Sequence, residues 1–404
     1  MVDLSEFFSI QTRLLSRVPM RYSRYLRESV NWDNSLLGIV GPRGTGKTTL
    51  LLQHLAESGL PSTEHLYLTA DHVHVQAVGL YDAVAHFFRL GGLSVAIDEI
   101  HKYPGWAQEL KNLHDSFPEA KIRFSGSSTL ALQTGKVDLS RRVVFYDLPG
   151  LSFREYLQFT HGLAFNSLQL PELLDNHDTI AAEVLQYGPI LGHFAAYLDH
   201  GVYPFFLEGV AEYHQKLRNI VEKTLYEDIP TVTNIRPGSI PVLKRILWLI
   251  STSQPFVPNV DRMARDLGIS KQYVYEYLDS LQRAGLIAGF PAAKSGYRLV
   301  RKPAKIFIEN TNLLKAIVGE LRGEGSTGTL RETFLVHQLK HAGRAVAIPY
   351  AGDVLVDDRF VFEIGGMAKG RRQLREGSDA YVVRDDIDVG SGRTIPLWLF
   401  GFLY

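Results

Sequence analysis

Eight consecutive residues, Gly41-Pro42-Arg43-Gly44-Thr45-Gly46-Lys47-Thr48, carry the spacing G-x-x-x-x-G-K-[ST]. Each residue type has a reason in phosphate chemistry. Gly41, Gly44 and Gly46 let the backbone take positive φ and approach a phosphate with no Cβ in the way. Successive N–H groups, and the positive end of the helix read just after the loop, hold an anion. Lys47 reaches β- and γ-phosphates, and the Thr48 hydroxyl is a Mg²⁺ ligand. Read as a nucleotide site, the loop binds through Gly41 to Thr49. The competing reading is a Gly-rich turn that binds nothing.

A second group of chemically able residues lies about fifty positions on, where the apolar run Leu93–Ile97 ends in Asp98 and Glu99. Asp98 is expected to share the Mg²⁺ with Thr48. Glu99 is expected to polarise an attacking water as general base or orienter. A third apolar run, Lys121–Ser125, leads into Ser127 and Ser128, hydroxyls that could sit between water and γ-phosphate, although Ser-Gly-Ser is also ordinary turn chemistry. Arg142 follows Arg141 just before another apolar run. Its planar, always ionised guanidinium suits a γ-phosphate, supplied in cis or by a neighbouring subunit, while a salt bridge within the chain is the plainer reading. His72 and His74 form H-x-H without an evident third ligand, so a metal site there is not expected. His101, just past the carboxylate pair, could line the nucleotide site, but a structural role is the plainer reading.

These groups need a scaffold, and residues 35–150 alternate strand-like and helical patterns as βαβ units of a mostly parallel sheet do. The expected strands are Leu36–Val40, His65–Thr69, Leu93–Ile97, Lys121–Ser125 and Val143–Leu148. The expected helices fill 48–58, 77–90, 105–117 and 128–135. Each motif then falls at a strand's carboxyl end, where such sheets bind ligands. Residues 1–30 read as a helical, Arg-rich extension, 31–155 as the nucleotide core, 156–238 as a helical lid, 239–305 as a unit of helices and a basic hairpin, and 306–404 as mixed helix and strand.

The 404 residues balance 43 Lys+Arg against 43 Asp+Glu, so overall charge gives no hint of nucleic acid or membrane. Locally the balance breaks. Residues 241–305 hold 11 basic and 4 acidic side chains, net 11 − 4 = +7, and residues 161–240 hold 4 and 10, net 4 − 10 = −6. The absence of cysteine excludes disulfides and thiol chemistry. No signal peptide or membrane span is visible, and a cytoplasmic location is expected.

The segments GPRGTGKTTLL, AIDEIHKYPGW, FSGSSTLAL, DLSRR and LPGLSFREYL resemble prokaryotic ATPases of the AAA superfamily, strongly over about residues 25–160. The resemblance implies an α/β P-loop fold of AAA+ type, with ATP and Mg²⁺ as cofactors. Lys47 and Thr48 would be Walker A, Asp98 and Glu99 Walker B, Ser127 or Ser128 sensor 1, and Arg142 the arginine finger. Gly201-Val-Tyr-Pro204 is similar to a Gly/Pro element that contacts the base in a related branch, with Val202 replacing its second Gly. Residues 241–305 resemble a winged helix. Lys271, Gln272 and Tyr275 on its second helix, and Lys294, Arg298, Arg301 and Lys302 near the wing, are its candidates for DNA contact. The last hundred residues resemble a restriction-endonuclease-like domain. Glu332, Asp353 and Glu363 fill three of its active positions, but Gly365 replaces the lysine and Lys369 lies four residues beyond, so the domain reads as inactive or repurposed.

The expected activity is Mg-dependent ATP hydrolysis, with nucleotide state coupled to the C-terminal domains. A slow nucleotide-gated switch and a DNA-acting effector are the alternatives. Expected partners are ATP and ADP, with DNA through 241–305 and a homo-oligomer or protein partner kept open, and no membrane.

Overall fold

The computed structural model describes residues 3–126, 139, 141–233, 235–253, 256–293, 303–320, 326–366 and 379–404. The chain divides into two compact units, Met1–Gly150 and Leu151–Tyr404.

In the first unit the expected strands form within one residue at most ends: β1 Leu36–Val40, β2 His65–Thr69, β3 Ser94–Asp98, β4 Lys121–Gly126 and β5 Val144–Asp147. They build a parallel sheet in the order β2-β3-β4-β1-β5. Strand β4 therefore separates the strand that feeds the Gly-rich loop from the strand that ends in the carboxylates. Both faces are covered, which explains the near-continuous apolar runs. Side chains alternate between faces with period two. Leu36, Val40, Ile97 and Phe124 pack in one core, and Leu37, Ile39 and Ala96 in the other.

The helices are α1 Ser5–Leu15, α2 Leu26–Ser29, α3 Lys47–Glu57, α4 Val73–Val78, α5 Leu80–Arg89 and α6 Trp106–Ser116. Two differ from expectation. The N-terminal stretch is two helices rather than one, with Pro19 between them, a residue that cannot continue a helix. It also packs on the core, through Phe7 in one cluster and Leu26 and Val30 in the other. The helix expected over 77–90 is broken at Gly79, whose φ of 102° and ψ of 138° are non-helical. The freed N–H groups of Leu80 and Tyr81 donate to the Tyr103 hydroxyl at 3.2 Å and to Glu109 Oε2 at 2.8 Å. The helix expected over 128–135 lies outside the described residues.

The second unit begins with helices at Phe153–His161, Leu170–Leu185, Ile190–His200 and Tyr213–Lys223. The first is opened by a reciprocal capping box of Ser152 and Glu155. Helices Ile240–Thr252, Val260–Leu267 and Lys271–Arg283 follow, and then an antiparallel pair of strands, β6 Ile287–Phe290 and β7 Lys305–Ile308. Ser270 caps the third of these helices, its side chain accepting from Tyr273 N at 3.4 Å. Helices Thr311–Glu320 and Thr327–His341 lead into a five-stranded mixed sheet, ordered β12-β11-β10-β9-β8. Its strands are β8 Val346–Ala347, β9 Val354–Val356, β10 Phe360–Gly365, β11 Ala380–Arg384 and β12 Thr394–Pro396. Among the described residues no helix is long and apolar enough to cross a membrane.

Candidate nucleotide site

The loop after β1 has the geometry its glycines predict. Gly44 and Gly46 have φ of 81° and 95°, and Gly46 is the left-handed residue that opens α3. Gly41 has φ of 150°, and a Cβ there would collide with the backbone carbonyl oxygen of Leu148. That crowding follows from β5 lying beside β1, where Leu148 N donates to Val40 O at 2.7 Å. Thr45 Oγ1 donates to Pro42 O at 3.0 Å. Lys47 is buried, with Nζ donating to the loop carbonyls of Gly41 at 2.9 Å and Pro42 at 2.6 Å. The ammonium thus sits inside the loop's own curve. Thr49 occupies the first turn of α3 beside Thr48.

At the neighbouring strand ends, Thr48 Oγ1 donates to Asp98 Oδ2 at 2.6 Å. Asp98 is 4% exposed and collects two further hydroxyls. Tyr67 Oη on β2 donates to Oδ2 at 3.0 Å, and Ser125 Oγ on β4 donates to Oδ1. Burial, and then the Asp98 charge, hold the Tyr67 phenol above its usual pKa, so it stays a donor.

Glu99 has a left-handed backbone, φ 52°, unusual for a residue with a side chain. Its N–H is fixed by Asp98 Oδ1 at 3.1 Å and Ser125 Oγ at 3.3 Å. Its carboxylate lies 3.1 Å from Lys102 Nζ, 3.6 Å from Arg43 and 3.9 Å from His101. Burial pushes the Glu99 pKa up, but His101, Lys102, Arg43 and Lys47 together outweigh it and hold the group below its ordinary value. An ionised carboxylate of lowered basicity suits orienting a water better than fully abstracting its proton. Lys102 Nζ is itself bridged to Asp71 at 2.5 Å.

Arg142 is paired with Asp115 through both oxygens, Nε to Oδ1 at 2.8 Å and an Nη to Oδ2 at 3.0 Å. Ser127 and Ser128 lie outside the described residues. Pro204 lies in the second unit, where it opens a 3-10 helix, Pro204–Glu208. The backbone before it is tied down by Val202 N donating to Asn312 Oδ1 at 2.8 Å and by Tyr203 N donating to Tyr213 Oη at 3.1 Å.

Three contributors were not singled out from the sequence: Arg24, Tyr67 and Ser125. Arg24 is 4% exposed and donates to the carbonyls of Thr45 at 2.5 Å, Pro149 at 2.9 Å and Gly150 at 3.1 Å. It splints the phosphate loop to the segment following β5. Its signal was the Arg-rich N-terminal segment, but nothing local separates Arg24 from its neighbours. Tyr67 and Ser125 sit on runs read as strands, and only strand order brings them to Asp98.

Of the more distant candidates, Lys271 is ion-paired with Asp261, and Gln272 and Tyr275 are exposed. Lys294, Arg298, Arg301, Lys302 and Lys369 lie outside the described residues. Glu332 lies on helix Thr327–His341 and faces Lys305 Nζ at 3.2 Å. Asp353 Oδ2 accepts from Ile364 N at 2.7 Å, next to buried Glu363 on β10. Gly365 ends that strand. His72 and His74 converge on Glu6, at 3.7 and 2.8 Å.

Residues 33–157 match a family model described as an AAA domain, and residues 191–322 match a domain of unknown function, DUF8612. An AAA-type match thus covers the strands and loops that build the site. The chain is 28% identical over 337 residues to an uncharacterised protein, MJ1637, of Methanocaldococcus jannaschii, covering 76% of this chain and 70% of that one. Among solved structures it is similar to AMPPCP-bound DnaA from Aquifex aeolicus, at 15% identity over 69% of this chain and 89% of that one, with a TM-score of 0.24. It is also similar to C. elegans PCH-2, at 12% identity over 68% of each chain, with a TM-score of 0.25.

Proposed function

We propose that this chain binds ATP with Mg²⁺ at the β1 loop and hydrolyses it to ADP and phosphate, its nucleotide state acting on the C-terminal half. The observation that carries this reading is the meeting of Thr48 and Ser125 on one buried carboxylate, Asp98, with Glu99 fixed beside it. The loop N–H groups and the start of α3 receive the phosphates. Lys47 exchanges its two carbonyl partners for phosphate oxygens. A carboxylate and a hydroxyl already 2.6 Å apart suit Mg²⁺, and Thr48 and Asp98 would hold it. When bound, that ion neutralises charge on the phosphates. Glu99 accepts a hydrogen bond from the attacking water. The water oxygen bonds to the γ-phosphorus as the bond to the bridging β,γ-oxygen breaks, the water's proton passes to an oxygen of the departing phosphate, and ADP and inorganic phosphate leave. Ser125 holds Asp98 and the Glu99 backbone together, and Arg142 serves as the arginine finger once released from Asp115. Hydrolysis is favoured over simple binding because Glu99 is immobilised at a backbone angle that costs energy to maintain.

The C-terminal sheet is read as a repurposed nuclease-like domain, and residues 239–305 as a winged helix. The test of the primary reading is calorimetric titration with MgATP. Wild type is expected to bind one nucleotide per chain, and Lys47→Ala to lose most of that affinity. Equal binding by both would remove the loop from the site.

A further inference from the structure

A second constellation lies in the second unit, remote in sequence from the nucleotide loop. Glu309 directly follows β7, and His337 and His341 stand one turn apart on helix Thr327–His341. One ligand atom from each lies within 4.8 Å of the other two. Glu309 Oε1 is 2.9 Å from His341 Nε2 and 3.9 Å from His337 Nδ1. Glu309 is 4% exposed and His337 3%. The His337 Nδ1 atom is buried and makes no hydrogen bond, an expensive state for a polar atom unless something else comes to it. On the other side of the same ring, Nε2 lies 3.4 Å from the Tyr404 hydroxyl. That contact fixes the ring so that Nδ1 points at Glu309.

We propose that Glu309, His337 and His341 bind one divalent transition-metal ion of the zinc class. Two imidazoles and a carboxylate are a donor set for such ions, with ligand bonds of about 2.0–2.2 Å that bring donor atoms to separations of this order. Burial holds His337 well below the ordinary histidine pKa, which keeps it the neutral ligand form. Lys340 is the competitor. Its Nζ bonds both Glu309 oxygens, at 2.7 and 2.8 Å, and its side chain is 40% exposed, so it can swing into solvent as the ion enters. The ion would clamp the segment after β7 to helix Thr327–His341. The alternative is a purely structural ion-pair cluster in which Lys340 supplies the positive charge permanently.

The two readings diverge on Lys340. The full chain, stripped with chelator and free of nucleotide, is dialysed against Zn²⁺ and its metal content measured. Wild type is expected to take up one ion per chain at this site. His341→Ala should weaken uptake by more than tenfold, and Tyr404→Phe, which removes an orienting partner, by about tenfold. Lys340→Met should bind Zn²⁺ more tightly than wild type, because the competing ammonium is gone. His72→Ala with His74→Ala should leave uptake unchanged. Lys340 is at the surface, so that variant should fold, which circular dichroism checks. Unchanged or weaker binding by Lys340→Met, or no wild-type uptake that depends on His341, would overturn the proposal.

Discussion

The Thr48 hydroxyl donates to Asp98 at 2.6 Å, joining the first turn of α3 to the end of β3 past the intervening strand β4. Fifty residues separate the two in the chain, and in the function proposed above they would together hold the magnesium ion.

This relationship predicts a difference between two affinities. Asp98→Asn keeps the shape of the side chain but removes its charge. Its affinity for MgATP should fall by on the order of tenfold or more, about 1.4 kcal/mol per factor of ten. Its affinity for ATP in excess EDTA should change little. Titrations with and without Mg²⁺ check this, and an equal loss in both would make Asp98 a structural anchor instead of a metal ligand.

Arg142 yields a prediction about dilution. Its two-point bridge to Asp115 is exposed and within one chain. If another subunit's site recruits it, turnover per subunit should rise with protein concentration. Arg142→Ala should abolish that rise and lower the plateau by on the order of 10³-fold. Asp115→Asn, which frees the guanidinium, should retain it. A wild-type rate that stays flat on dilution contradicts action in trans.

Much of this site was legible because its signals are local. The glycines, Lys47 and Thr48 are fixed by eight consecutive residues, and Asp98-Glu99 by the end of an apolar strand. The contacts that were not legible depend on lateral order in the sheet. Ser125 reaches Asp98 only because β4 lies between β1 and β3, and Tyr67 only because β2 lies on the far side of β3. Hydrophobic periodicity sets which face a residue takes, not which strand is its neighbour. The same limit hid Arg24, whose carbonyl partners lie as much as 126 residues away. It also hid Glu309, His337 and His341, since a turn-spaced histidine pair gains a third ligand only through the fold. The break at Gly79 was missed because Tyr103 and Glu109 cap the helix ends from a distant element.

His54 predicts how the first unit responds to acid. Its ring stacks on Trp32 with centroids 3.8 Å apart and planes within 9°. Burial first, and then Arg123 and Arg27, lower its pKa from 6.5 to about 4. The unfolded chain therefore takes up a proton below pH 6.5 while the folded unit does not. The stability that His54 contributes is complete above pH 6.5 and is lost as pH falls towards 4. His54→Gln should be less stable than wild type at pH 7.5, and the gap should narrow by pH 5. Urea unfolding at the two pH values measures this. A gap that does not vary with pH would show that His54 titrates normally.

The most direct test of the nucleotide reading is phosphate release from MgATP by wild type and Glu99→Gln, with ATP binding measured on the same preparations. Glu99→Gln keeps the size of the side chain and loses the charged acceptor for water. We predict steady phosphate release by wild type, a fall of about 10²–10⁴-fold in the variant, and ATP affinity within a few-fold of wild type. Equal release by the two proteins, with equal binding, would contradict the account.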